Sequence, residues 1–200
     1  MANAKGVDCS RWQGTIGWQK VKDSGVEFAF IKASQGTTWK DPIFEQNKAG
    51  TRRVGVLPGY YHFATLQDPI KEADWFLKCV GDIRENELLA LDAETGQTPE
   101  WCRKFLDRVT AKVGFKPLIY APVGNGANWT AVSSGDYGLW VARYGLNTGS
   151  IPWLFKPRIG PWKFYVIWQY TSRGRVPGIV GNCDLDLCNA SLEVLKKYGK

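Results

Sequence analysis

The 200-residue chain reads as a single α/β domain built on a closed or nearly closed barrel, and three observations carry that reading. Eight short apolar or β-rich segments recur along it, at 6–10, 28–34, 54–64, 88–94, 117–122, 137–144, 165–171 and 183–188. Helical patterns separate the first five, which argues for a parallel sheet covered by helices. The length suits one full-sized core, and no repeat, linker or second domain interrupts it, so eight strands in one unit favour closure.

The elements follow in order. "GVDCS" is followed by the helical stretch "WQKVKDSG", and "FAFIKAS" by "DPIFEQNKAG", where Asp41 is placed to cap and Pro42 to open the first turn. "VGVLPGYYHFA" leads to "DPIKEADWFLKCVG", which repeats that start with Asp68 and Pro69 and stops at Gly81. "LLALDAE" leads to "TPEWCRKFLDRVTAKVG", whose Trp101, Phe105, Val109 and Val113 recur at every fourth position on one helix face. Past residue 135 the helical patterns fade, and the last strands follow loops rich in Gly, Pro and Trp.

Composition narrows the function. The net charge is +7, but no Lys/Arg run exceeds two residues, so the chain lacks a nucleic-acid stripe and keeps a general attraction to polyanions, an anionic cell wall among them. Ten Trp suggest aromatic surface for flat apolar faces such as those of pyranose rings. Five Cys, an odd number without a CxxC pair, argue against a disulfide framework or zinc site and for buried thiols made in a reducing compartment. The start "MANAKGVDCS" has no apolar signal-peptide core, and no run is long enough to span a bilayer, so neither export by an ordinary leader nor stable membrane association is expected.

The informative stretch is "LLALDAETG", which sets Asp92 and Glu94 at the end of an apolar strand. Burying a charge is costly unless it is paired or its pKa shifts. Strand side chains alternate, so Asp92 and Glu94 share a face with Ala90, about 6.6 Å apart along the backbone. The C-terminal end of a barrel strand carries the active site. Two acids on one face are what glycoside hydrolysis requires, one as proton donor and one to stabilise positive charge. A solvated strand end or salt-bridged pair is the alternative. Asp8 in the first strand, with Asp184 and Asp186 on one face of the last, would converge on the same mouth, because first and last strands are neighbours in a closed barrel. A single histidine and no calcium or magnesium loop argue against a metal, and no cofactor is expected.

The ordered segments "GVDCSRWQG", "FAFIKASQG", "PGYYHFA", "LALDAE", "LWVARY" and "WQYTSRGRVPGIVGNCDLD" resemble the glycoside hydrolase family 25 lysozymes over nearly the whole chain. The resemblance implies a TIM-like (βα)5β3 barrel and cleavage of the β-1,4 bond between N-acetylmuramic acid and N-acetylglucosamine in peptidoglycan. It places the proton donor at Glu94, the acid that orients the 2-acetamido group at Asp92, and the remaining acids at Asp8 and Asp184 in preference to Asp186. Tyr61, Tyr120, Trp140 and Gln169 match groove-lining positions, with core packing as the rival. For His62 the choice is between positioning acids or substrate and a satisfied barrel histidine. Lys32, inside an apolar strand, is expected to pair with an acid or touch substrate. Two segments depart from the family: Cys9, expected to point inertly toward the helices, and "YAPVGNGANW", where substrate contacts are least certain to carry over. A catalytically silent carbohydrate-binding barrel and a chitinase-like hydrolase are the competing functions. The reading is of a monomeric single catalytic domain without a wall-binding module, acting on peptidoglycan glycan strands. It resembles a phage endolysin held in the host cytoplasm until release, with an autolysin as the alternative.

Overall fold

The computed structural model describes residues 2–124, 127–152 and 154–200. Its strands are β1 (Lys5–Cys9), β2 (Phe28–Gln35), β3 (Trp39–Lys40), β4 (Leu57–Phe63), β5 (Leu88–Asp92), β6 (Leu118–Tyr120), β7 (Leu139–Ala142), β8 (Ile167–Gly174) and β9 (Cys183–Cys188). They run in the order β1-β9-β8-β7-β6-β5-β4-β2-β3, and β1 pairs with β2, which closes the barrel. The hairpin strand β3 stands outside the ring as an antiparallel extension of β2. Only β9 runs against both of its barrel neighbours, β1 and β8.

Helices α1 (Trp18–Asp23), α2 (Phe44–Val54), α3 (Pro69–Val80), α4 (Pro99–Val113) and α5 (Thr130–Ser133) follow the first five barrel strands, and α6 (Leu192–Leu195) follows the last. This is the (βα)5β3 arrangement. The four-residue α5 had no periodic signal to announce it. Asp68 and Thr98 cap α3 and α4 through their side chains, each followed by Pro. At α2 the expected cap moves: the helix starts at Phe44, and Asp41 instead accepts from Ile43 N and Arg11 N, both at 3.0 Å. That ties the loop after β1 to the start of α2. Helix α2 also runs on to Val54, through Gly50, where a Cβ would meet Trp18 Cδ1 at 2.1 Å. Gly50 lets α1 and α2 approach and does not stop the helix.

Alternation sorts the sheet into two apolar layers. Leu89, Leu91, Ala93, Tyr60 and Cys9 face the helices, and Cys9 is buried there. Phe28, Phe30, Tyr61, Leu88, Ala90, Leu118 and Trp140 fill the barrel. Gly6 and Gly59 make room for the two phenylalanines: a Cβ on them would meet the rings of Phe28 and Phe30 at 2.2 and 2.4 Å. Bulky rings thus plug the lower barrel and leave its C-terminal mouth to polar side chains.

Candidate active site

The mouth holds a groove of about 370 Å³ lined by Asp8, Asp92, Glu94 and Asp184, with Tyr61, Tyr120, Trp140, Tyr144 and Gln169 among its walls and floor. Strand register assembles the acids. Asp8 on β1 sits opposite Asp184 on β9, and Gly6 opposite Asp186. Asp92 ends β5, beside Phe63 on one flank and Tyr120 on the other. Glu94 lies two residues beyond the end of the strand, in the loop, and is open to solvent.

Burial is the first cause that raises the carboxyl pKa of every one of these acids. Asp8 is pushed well up by burial, then by the charges of Asp184 and Asp186. Asp92 is pushed well up by burial and then by Glu94, with Lys32 opposing. Glu94 is raised by partial desolvation in the groove wall, again against Lys32. Asp184 and Asp186 are raised by burial as well. Crowded carboxyls of this kind retain protons to higher pH than free ones.

Few donors offset that crowding. Gln169 Nε2 donates to Asp8 Oδ2 at 2.7 Å, while Gln169 Oε1 accepts from Tyr120 at 3.1 Å and Tyr144 at 2.5 Å. Gln169 is therefore a buried hub that orients Asp8. Trp140 Nε1 donates to Asp186 Oδ1 at 2.9 Å, so its ring is the floor of the groove. Asp92 Oδ1 is buried and meets no protein donor among the described residues.

One expectation needs correction and one is narrowed. His62 does not reach the groove. It follows Tyr61 and so faces the helices, fully buried, with Nδ1 2.8 Å from Ser34 Oγ, Nε2 2.8 Å from Glu72 Oε2, and its ring stacked on Phe105. Lys32 does face the groove, yet it forms no ion pair among the described residues; its Nζ donates to Gln35 Oε1 at 2.9 Å and lies over Phe63 and Trp39 at 4.2 and 5.2 Å. Among the described tryptophans, Trp18, Trp129, Trp140 and Trp168 are buried, Trp140 as part of the groove floor, while Trp12 and Trp39 border the groove and its extension. The sequence reading missed Tyr144, Phe63 and Trp12. Alternation from Trp140 would have found Tyr144, and alternation from Tyr61 would have found Phe63. Of the segment "YAPVGNGANW", Asn125 and Gly126 lie outside the described residues, as does Trp153. No group of three His, Cys, Asp or Glu among the described residues is placed to hold a metal.

An acid-lined groove with aromatic walls at the C-terminal mouth of an α/β barrel is the arrangement of a glycoside hydrolase. The chain belongs to Glycosyl hydrolases family 25, which it matches over residues 7–179. It is 32% identical to lysozyme M1 of Streptomyces globisporus, covering 95% of this chain and 69% of that protein. It is 32% identical to the autolytic lysozyme of Clostridium acetobutylicum over 91% of this chain, which spans about half of that relative (55%). The bacterial lysozyme of Streptomyces coelicolor superposes with a TM-score of 0.83 at 29% identity, covering 100% of this chain and 98% of that one. The catalytic domain of endolysin ply40 from Listeria monocytogenes bacteriophage P40 does so at 0.76 and 31%, covering 99% and 97%.

Proposed function

We propose that the protein is a muramidase in which Glu94 donates the proton and Asp92 holds the substrate's 2-acetamido group. It hydrolyses the β-1,4 bond between N-acetylmuramic acid and N-acetylglucosamine in peptidoglycan, and so lyses bacterial cell wall. The observation that carries the division of labour is the contrast between the two neighbouring acids. Glu94 is accessible, so it can reach the bridging oxygen, and like Asp92 it is raised by desolvation, which a general acid needs. Asp92 is recessed, with one buried oxygen awaiting a donor, as an acetamido N–H would supply.

As Glu94 protonates the bridging oxygen, positive charge grows at the anomeric carbon. The acetamido oxygen attacks that carbon, Asp92 stabilises the resulting oxazolinium, and water opens the ring with Glu94 as base. Asp8 and Asp184 face each other across the β1–β9 pair and position the far wall, with Gln169 fixing Asp8. Tyr61 and Trp140 form the buried floor beneath the sugars and Tyr120 part of the wall. A single chain supplies every one of these side chains, which supports action as a monomer on glycan strands.

The relatives include an autolytic lysozyme and a phage endolysin domain, and this chain fits the same lytic role. Its cysteines are five buried free thiols, which supports synthesis and storage in a reducing cytoplasm before release to the wall. Digestion of purified peptidoglycan, followed by mass analysis of the new reducing ends, tests the activity. Muramic acid at those ends is expected; N-acetylglucosamine ends would contradict the bond assignment.

A further inference from the structure

The acid-lined groove does not stop at the catalytic carboxylates. Ser10, Trp12, Lys32 and Phe63 are shared with a second cavity of about 490 Å³, which runs on between the loop after β1, the β2–β3 hairpin and the loop after β4. Its chemistry is the reverse of the catalytic end. Arg11 and Lys32 both line it; burial lowers the Lys32 pKa and Arg11 adds to that, while Asp92, Asp41 and Glu94 pull the other way. Neither forms an ion pair among the described residues. The one carboxylate in the lining, Asp41, has its two oxygens occupied by the backbone N–H groups of Ile43 and Arg11.

The Arg11 guanidinium lies over two rings, 4.7 Å from the Trp12 centroid and 5.3 Å from that of Trp39. Stacking of this kind uses the faces of the guanidinium and leaves its edge, with the N–H fork, for an acceptor. The backbone N–H bond to Asp41 fixes where Arg11 starts, and Trp39 is itself tied down by its carbonyl, which accepts from Trp75 Nε1 at 3.0 Å. A guanidinium held over two rings beside an ammonium, neither of them in an ion pair among the described residues although Asp92, Asp41 and Glu94 act on Lys32 at longer range, keeps donors free to receive a carboxylate.

We propose that this arm binds a carboxylate carried by the wall polymer beside the glycan chain while the mouth cleaves the glycan. The proposal rests on the muramidase reading, because only muramic acid among the backbone sugars bears such a group. It is either the free lactyl carboxylate or, where that is capped by a peptide, a carboxylate of the peptide stem. The arm therefore selects wall glycan over uncharged polymers of the same linkage.

The test is a cycle of steady-state cleavage of soluble glycan fragments by wild type and Arg11→Gln. Arg11 is exposed, so the variant is expected to fold. The fragments come in three forms: stem-bearing with free carboxylates, the same with all carboxyls amidated, and amidase-stripped with only lactyl carboxylates. For a charge-assisted contact partly screened by solvent, Arg11→Gln should lose about 3- to 30-fold more kcat/KM on the stem-bearing carboxylate form than on the amidated form, chiefly through KM. The excess loss should shrink at high salt. If it persists on the stripped form, the ligand is the lactyl carboxylate; if it vanishes there, it is the stem. Equal losses on native and amidated fragments, or no loss on either, would overturn the proposal while leaving the muramidase reading intact. A wild-type protein that cleaves none of the three forms would overturn that reading itself, and this one with it.

Discussion

Two clusters of charge sit at opposite ends of the barrel, and the difference between them is pairing. At the N-terminal end, Lys48 Nζ donates to Asp82 Oδ1 at 2.8 Å and to two backbone carbonyls, while Arg52 grips Glu87 at 2.6 and 2.7 Å and Asp82 at 2.8 Å. Hydrogen bonds from Lys48 and then Arg52 hold the Asp82 carboxyl down at about 2. At the C-terminal end, Asp8, Asp92, Glu94, Asp184 and Asp186 crowd together with no salt bridge among the described residues, and burial raises them all. The same functional group is driven in opposite directions by its neighbours. One end of the fold uses carboxylates to join α2 to the loop before β5; the other keeps them protonatable at a cost in stability.

The comparison can be broken most decisively at the mouth. Glu94→Gln should fold normally, since Glu94 makes no hydrogen bond or ion pair among the described residues, and lose about 10²–10⁴-fold in lytic rate. Turbidity clearing by purified variant with a native circular dichroism spectrum checks this, and near wild-type clearing would remove Glu94 from the mechanism. The mirror experiment is Arg52→Met, which leaves buried Glu87 without its cation. It should destabilise by about 3–5 kcal/mol in denaturant melts, with specific activity of the folded fraction retained.

His62→Phe separates a structural histidine from a substrate contact. The variant removes hydrogen bonds to Ser34 and Glu72 in a fully buried site, at about 1–3 kcal/mol, while KM stays unchanged. A raised KM with unchanged stability would return His62 to the groove. Burial lowers the His62 pKa, so its contribution is present above the ordinary histidine value and is lost as pH falls through the depressed one.

The smallest effect is also the most diagnostic of the mouth. Asp186→Asn should stabilise the protein at neutral pH by about 0.5–2 kcal/mol, because it removes a buried, crowded charge and keeps an acceptor for Trp140. Acids with raised folded pKa values bind more protons when folded. Their stabilisation is thus complete below the ordinary carboxylate range, near pH 4, and is lost as pH rises through the raised values. Wild type should accordingly gain stability as pH falls through the raised values toward the ordinary carboxylate range, and Asp186→Asn should flatten that slope. A slope of the opposite sign would mean that paired carboxylates such as Asp82 dominate.

Much of this was legible before any coordinates. Strand alternation alone put Asp92 on the inner face with Ala90 and turned Leu89, Leu91 and Cys9 outward, because period-two patterning depends only on the residues themselves. The caps of α3 and α4, each followed by Pro, were legible for the same local reason. What failed was set by distant partners. Asp41 has the chemistry of a cap, but the Arg11 N–H lies 30 positions away in sequence. Gly50 sits inside α2 for a reason no local pattern shows, the approach of Trp18. The cationic arm combines the loop after β1 with a hairpin, so neither sequence segment announces it.

The central claim is that the barrel mouth keeps Glu94 protonated to higher pH than a free glutamate, ready to donate. Titration of ¹³C-carboxyl-labelled protein by NMR, with the Glu94 resonance assigned by its loss in Glu94→Gln, measures this directly. The account predicts a Glu94 midpoint above the ordinary glutamate value of about 4.3. A midpoint at or below that value would contradict it.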